Sequence, residues 1–206
     1  MTVLVTGAGV IGQLTAGALA AKGRPVMAID IRPPEALAPG VVFERCDITD
    51  AAALSQVIGR HQVTGIVHTA AMLSTGMRRD PVAGIRANVM GTMHVLDSAR
   101  KAGVRRVVCA SSTTVAYTTF GAHGPAPIAE DEPLRLVSQR PASLYAASKI
   151  MGEHLGLLHR DLYGLDVVSL RYGAVLGGAL DQPTSVPGRL LARLVEGGRM
   201  GRKVVL

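Results

Sequence analysis

Along this chain, short runs of aliphatic and β-branched residues alternate with longer stretches in which apolar positions recur every three or four residues. The first pattern is that of a buried strand and the second that of an amphipathic helix. Strand-like runs lie at Thr2–Thr6, Pro25–Ile29, Val41–Arg45, Gly65–Thr69, Arg106–Ala110 and Val167–Leu170. Helical patterning runs through Leu14, Ala18, Leu19 and Ala21 to a stop at Gly23. It returns over Ala51–Arg60, near Pro81–Ala102 up to Gly103, over Leu144–Tyr163, and near Val186–Glu196. Between Tyr117 and Ser143 the periodicity breaks into a loop rich in Gly, Pro and charge, and loops of that length are often active-site lids. A further turn is expected at Gly177-Gly178. Strands and helices in alternation predict an α/β fold, a doubly wound parallel sheet with helices on both faces.

Composition agrees with that architecture. Hydrophobic residues make up 48% of the 206 positions, aromatics only 3%, and tryptophan is absent, so Ala, Val, Leu and Gly must fill the interior. No uncharged apolar run approaches the roughly 18 residues needed to span a bilayer, and the chain opens on a strand rather than a signal-peptide pattern. Cys46 and Cys109 fall in or at the end of predicted strands and form no disulfide framework or metal pattern, so a cytoplasmic location is expected. The net charge of +7 is uneven: residues 189–206 carry Arg189, Arg193, Arg199, Arg202 and Lys203 against Glu196. That tail lacks the interleaved aromatics of a nucleic-acid binder, which leaves a solvated helix face or a positive field that gathers a phosphorylated substrate.

The candidate chemistry begins after the first strand, at Gly7-Ala8-Gly9-Val10-Ile11-Gly12. A strand, a Gly-x-Gly-x-x-Gly turn and a helix form the dinucleotide-binding fingerprint of a Rossmann-type domain. Gly7 permits the tight turn, Gly9 lets a pyrophosphate approach the backbone, and Gly12 lets helix and strand pack closely. The helix N-terminus at Val10 and Ile11 offers free N–H groups to phosphates. The second strand ends at Asp30, about 20 residues on, where an acid binds the adenosine ribose hydroxyls. That carboxylate favours NAD over NADP, and Arg32 leaves room for NADP.

Tyr145-Ala146-Ala147-Ser148-Lys149 places a phenol and an ammonium on one helix face. A cation beside a phenol lowers its pKa from the usual value of about 10, which makes Tyr145 a candidate acid/base.

With both motifs in place, the chain resembles the extended short-chain dehydrogenases/reductases, the NAD-dependent epimerase/dehydratase family. Further segments carry the resemblance in register: Asp47-Ile48, His68-Thr69-Ala70-Ala71, Asn88-Val89-Met90-Gly91, Ser111-Ser112 before Thr113-Thr114-Val115, and Arg171-Tyr172-Gly173-Ala174-Val175. The resemblance implies that Asp47 and Ile48 meet the adenine, and that Thr69, Ala70, Ala71, Asn88, Ser111 and Tyr172 line the cofactor. It implies that Ser112, with Thr113 as a substitute, donates a hydrogen bond to the reacting oxygen. Tyr145 would move the proton, and Lys149 would hold the nicotinamide ribose and lower the tyrosine pKa. His68 reads better as a packed histidine than as a catalyst, and Asn88 also serves if it only satisfies buried backbone groups.

Three features depart from the family pattern. The glycine turn is one residue tighter than the family's Gly-x-x-Gly-x-x-Gly. Thr113 and Thr114 stand where the dehydratase branch has Asp and Glu, which disfavours dehydration. The chain stops where family members continue into a substrate domain, so residues 1–180 are expected to form the NAD(P)-binding domain and 181–206 the start of a largely absent substrate-binding region. The leading expectation is an NAD-dependent epimerase or oxidoreductase acting on a nucleotide sugar or related hydroxyl compound. The resemblance also implies a homodimer through the helices at Pro81–Ala102 and Leu144–Tyr163. The alternative is a non-catalytic dinucleotide-binding sensor or structural protein, which retention of Ser112, Tyr145 and Lys149 opposes.

Overall fold

The computed structural model of the chain describes residues 1–116, 127–131, 143–175 and 186–203. The expected loop at Tyr117–Ser143 therefore falls mostly outside the described residues, as does the Gly177-Gly178 turn. By its internal contacts the chain forms two units, Met1–Arg171 and Tyr172–Leu206.

The first unit is built on strands β1 (Thr2–Thr6), β2 (Val26–Asp30), β3 (Val41–Arg45), β4 (Val63–His68) and β5 (Arg106–Ser112), with most of β6 (Asp166–Tyr172). The strand order is β3-β2-β1-β4-β5-β6, and the pairings β3–β2, β2–β1, β1–β4 and β4–β5 are all parallel. This is the doubly wound order in which the chain reverses direction across the sheet between β1 and β4, and ligands bind at the strands' carboxyl ends near that point.

Helices cover both faces. Consecutive residues of β1 illustrate why: Leu4 packs with Ile29, Leu54, Ile66, Leu96 and Val107 on one face, while Val5 packs with Ala16 and Val26 on the other. Side chains alternate across a strand, so a run buried on both faces must be apolar throughout. Helix α1 (Val10–Ala21) supplies the smaller cluster, and α2 (Ala51–Arg60), with residues from the later helices, supplies the larger. Asp50 caps α2, its carboxylate accepting from the N–H groups of Ala52 and Ala53.

The long helix expected at Pro81–Ala102 is instead three joined segments: α4 (Pro81–Ile85), a π turn at Arg86–Met90 and α5 (Gly91–Lys101). It is preceded by α3 (Ser74–Arg79), a short helix that the apolar pattern does not announce. A short 3₁₀ turn, Thr113–Val115, follows β5. Helix α6 (Leu144–Tyr163) starts under a Ser143 cap and ends at Gly164, whose φ of 68° is the left-handed conformation that stops helices. The second unit contains α7 (Val186–Arg199), one turn longer than its apolar pattern suggests.

Candidate active site

The ends of β1, β2, β4 and β5 bring the expected site residues to one edge of the sheet. After β1 the backbone turns at Gly7, whose φ is 88°. A Cβ there would stand 2.5 Å from the Ala70 nitrogen, so the turn is pressed against the segment that follows β4. A Cβ on Gly12 would stand 1.8 Å from the Gly7 carbonyl oxygen, the close helix–strand contact expected of that position. Gly9 differs: a Cβ there would meet nothing within 4 Å. Gly9 is also the N-cap of α1 and brings no capping side chain to the first-turn amides at Val10 and Ile11. An open approach to uncapped amides suits a pyrophosphate.

Two side chains, Asp30 and Thr69, fix this turn. Ala8 N–H donates to Asp30 Oδ2 at 2.7 Å, joining the turn to the end of β2, while Arg32 N–H donates to Asp30 Oδ1 at 3.2 Å. Thr69 donates its hydroxyl to the carbonyls of Thr6 (2.8 Å) and Gly7 (3.0 Å). Asp30 is thus an anchor of the turn. Ala70 and Ala71 follow Thr69 along the same edge. Asp47 is exposed and accepts from Thr49 N–H at 2.8 Å, whereas Ile48 is buried against Gly91.

The catalytic candidates meet where α6 lies against β5. The Ser112 hydroxyl stands near enough to the Tyr145 phenol to lower its pKa. Ser112 Oγ accepts from Thr114 N–H at 3.2 Å and from Thr114 Oγ1 at 2.9 Å. Those two bonds occupy the serine oxygen's lone pairs and leave its own proton available to donate. Thr114 is therefore the residue that supports Ser112. One helical turn beyond Tyr145, Lys149 Nζ donates to the Ala110 carbonyl at 2.8 Å and lies 5.7 Å from the Tyr145 ring centroid.

The expected lowering of the tyrosine pKa by Lys149 is not what this arrangement produces. Burial raises the Tyr145 pKa, and the opposing effect comes from the nearby Ser112 hydroxyl. Burial also lowers the Lys149 pKa to about 8, and its ammonium is directed at a backbone carbonyl. Tyr145 is accordingly a protonated phenol at neutral pH.

Asn88 sits in the π turn with its amide fully engaged. Its Oδ1 accepts from Met72 N–H at 2.7 Å, and its Nδ2 donates to the Met72 carbonyl at 3.0 Å and to Ser148 Oγ at 3.1 Å. Ser148 in turn donates to the Tyr145 carbonyl at 2.7 Å. Asn88 thus ties the chain after β4 to the first turn of α6 and acts as a support for the site, in line with its reading as a residue that satisfies buried backbone groups.

His68 is buried, with Nδ1 2.6 Å from Thr6 Oγ1 and Nε2 2.9 Å from Thr92 Oγ1. Because Thr92 donates its own proton to the Asn88 carbonyl at 2.7 Å, Nε2 must carry the imidazole hydrogen and Nδ1 must accept from Thr6. Burial, reinforced by Lys149, depresses its pKa to about 3, so His68 is a neutral strut.

Sequence reasoning missed Glu153. Its carboxylate accepts from Ser111 Oγ at 2.5 Å and from Arg171 at 3.0 and 2.8 Å, and Arg171 also donates to the Glu130 carbonyl at 2.9 Å. Its spacing after Tyr145 and Lys149, four residues at each step, was the available signal. Tyr172 closes β6 and opens the second unit. Among the described residues no cluster of His, Cys, Asp or Glu suits a metal, and no helix is long and apolar enough to cross a membrane.

Known proteins share both this sequence pattern and this backbone. UDP-glucose 4-epimerase of Lacticaseibacillus casei is 32% identical over 186 residues, covering 88% of this chain and 54% of its own. The NAD complex of a UDP-glucose 4-epimerase from Thermus thermophilus superposes with a TM-score of 0.83 at 33% identity, over 100% of this chain and 65% of that one. The holo form of an L-threonine dehydrogenase from Cupriavidus necator superposes with a TM-score of 0.79 at 27% identity, over 98% and 63%. The chain thus spans between about half and two thirds of the length of these relatives. The family model described as the NAD dependent epimerase/dehydratase family matches residues 3–206. A match from the first strand to the last residue, in sequence and in backbone alike, makes this chain a member of the NAD dependent epimerase/dehydratase family.

Proposed function

We propose that the chain binds NAD and supports hydride transfer at a hydroxyl or keto carbon of a nucleotide sugar or related compound, with Tyr145 as the acid/base. The observation that carries this reading is the convergence of Ser112, Tyr145 and Lys149 where α6 meets the end of β5, with Lys149 Nζ 5.7 Å from the Tyr145 ring, in a chain that also carries the glycine turn and Asp30. Gly7, Gly9, Gly12 and the first-turn amides at Val10 and Ile11 would hold the pyrophosphate, and Asp30 the adenosine ribose. Thr69, Ala70 and Ala71 would border the same groove. Bound NAD would supply the acceptor or donor of hydride.

The residues' own part is proton management and orientation. Ser112, its oxygen held by Thr114, would offer its hydroxyl proton to the phenol oxygen or to a substrate oxygen. Tyr145 would give its proton to a carbonyl during reduction or take one from an alcohol during oxidation. In the oxidative direction the phenolate must form, and the buried ammonium of Lys149 would stabilise it once ligand binding draws that ammonium toward the ring. Thr113 and Thr114 provide no carboxylate, which supports epimerisation or simple oxidoreduction over loss of water. UDP-glucose and L-threonine, named in the activities of the relatives, are the first substrates to try.

The test is Tyr145→Phe. NAD affinity, measured calorimetrically, should stay within about threefold while turnover falls by about a hundredfold or more. Equal turnover in the variant would overturn the assignment. Saturable NAD binding with no turnover by the unaltered chain on either substrate class would favour the non-catalytic reading.

A further inference from the structure

Three successive residues on one face of α6 grip the last three residues of β5. Tyr145 meets Ser112, Lys149 donates to the Ala110 carbonyl, and Glu153 accepts from Ser111. The first two belong to the proposed chemistry, whereas the hydrogen bonds of Glu153 go to Ser111 and Arg171 and not to the phenol. Yet its carboxylate is nearly buried, with its side chain only 12% exposed, and both oxygens are engaged.

A buried carboxylate is an expensive way to fill space. An apolar side chain of similar volume packs there at a lower desolvation cost, and a buried ion pair is weak grounds for stability by itself. What an apolar side chain cannot do is orient a hydroxyl. Charge-assisted hydrogen bonds are short and directional, and the Ser111–Glu153 bond at 2.5 Å is of that kind. Ser111 and Ser112 share one peptide, so fixing Ser111 fixes the plane from which the Ser112 side chain leaves the backbone.

Arg171 holds the other side of the carboxylate and also the carbonyl of Glu130, so the same group ties the end of β6 and the segment Pro127–Asp131 to α6. Burial pushes the Glu153 carboxyl up, but the bonds from Arg171 and Ser111 outweigh it and keep the group ionised.

We infer that Glu153 is a positioning residue, which aims the Ser112 hydroxyl at Tyr145 by anchoring Ser111 at the end of β5. The inference rests on the reading of Ser112 and Tyr145 as the proton-transfer pair.

A readout that needs no substrate is the ionisation of Tyr145, which the nearby Ser112 hydroxyl favours against the effect of burial. It can be followed by ultraviolet titration of each protein minus the same protein carrying Tyr145→Phe, which isolates this phenol from the chain's other three tyrosines. Ser111→Ala and Glu153→Ala should both move that ionisation upward by about half a pH unit or more. Ser111→Thr, which keeps the hydroxyl, should restore the unaltered titration. In turnover, the two alanine variants should lose about tenfold in kcat with KM for the substrate little changed.

Ser111→Ala leaves the Glu153–Arg171 pair intact, so it decides the matter even if Glu153→Ala fails to fold. A wild-type Tyr145 titration in folded Ser111→Ala overturns the inference. If that titration moves as expected while no form turns over substrate, the positioning role stands and the enzymatic reading falls. If turnover is present and the titration is unmoved, the reverse holds.

Discussion

At the scale of single residues, the glycine turn separates two roles that its pattern merges. Gly12 is a packing glycine, since a methyl group there would collide with the Gly7 carbonyl at 1.8 Å and with Thr69 Oγ1 at 2.8 Å. Backbone cannot yield as a flexible side chain can, so Gly12→Ala should cost about 3 kcal/mol or more, or abolish folding. Gly9 is an approach glycine, because a methyl group there meets nothing but would stand where a phosphate is expected to come. Gly9→Ala should cost only about 1 kcal/mol through the weaker N-cap while reducing NAD affinity by about tenfold or more. Denaturant unfolding and calorimetry on the two variants check this, and the opposite pattern would reassign the two glycines. The three glycines were legible in the sequence because their spacing and the flanking strand and helix are local. The partners of Asp30, Ser111 and Glu153 were not, because each lies far along the chain: Ala8 to Asp30 spans 22 positions and Ser111 to Glu153 spans 42. Period and composition carry no record of such pairings. The direction of the Tyr145 shift was misread for a related reason. Spacing shows that Lys149 shares a face with the phenol, but not that its ammonium is directed at the Ala110 carbonyl.

At the scale of elements, boundaries set by strong punctuation were readable. Helix α2 runs from Ala51, after the Asp50 cap, to Arg60, as its pattern predicts, and α6 ends where Gly164 allows the left-handed turn. The π turn at Arg86–Met90 was invisible, because a helical apolar pattern does not report a single widened turn. Helix α3, Ser-Thr-Gly-Met-Arg-Arg, has one apolar side chain to bury and so no period to detect. Besides the apolar core, a polar relay joins β1, β4, α5 and the π turn. Thr6 of β1 donates to His68 of β4, which donates to Thr92 of α5, which donates to the Asn88 carbonyl in the π turn. This relay requires neutral His68, whose pKa is depressed to about 3. The unfolded chain takes up a proton near pH 6.5 while the folded chain does not, so stability is full above that value and falls as the pH drops toward 3. The loss from this residue should approach about 1.4 kcal/mol per pH unit over the steep part of that window. His68→Gln should be less stable at pH 7 yet lose less stability on acidification. Parallel losses in the two proteins between pH 6 and 4 would show that His68 does not govern the acid limb.

At the scale of the whole molecule, the strand order places the glycine turn and Thr69 on the two sides of the sheet's reversal point, where the loops after β1 and β4 separate. That location was implied as soon as a strand, a glycine turn and a helix opened an alternating chain, because few topologies accommodate them. If the cofactor half acts as a unit, NAD should stabilise the 206-residue chain by mass action, at about 2.7 kcal/mol when NAD stands at a hundred times its Kd. For a chain of this size that is a rise in Tm of about 5–10 °C. NADP should give a smaller rise at equal concentration, because its 2′-phosphate must face the Asp30 carboxylate. Asp30→Asn keeps an oxygen for the Ala8 N–H that Asp30 now holds at 2.7 Å, but removes the charge. The gap between the NAD and NADP melting shifts should then narrow while the unliganded Tm changes little. A gap unchanged by the substitution would take Asp30 out of the ribose site and leave it only its role as anchor of the turn. A fall in the unliganded Tm of several degrees would instead show that the turn needs the full carboxylate, and that cofactor choice and the architecture of this edge of the sheet cannot be altered separately.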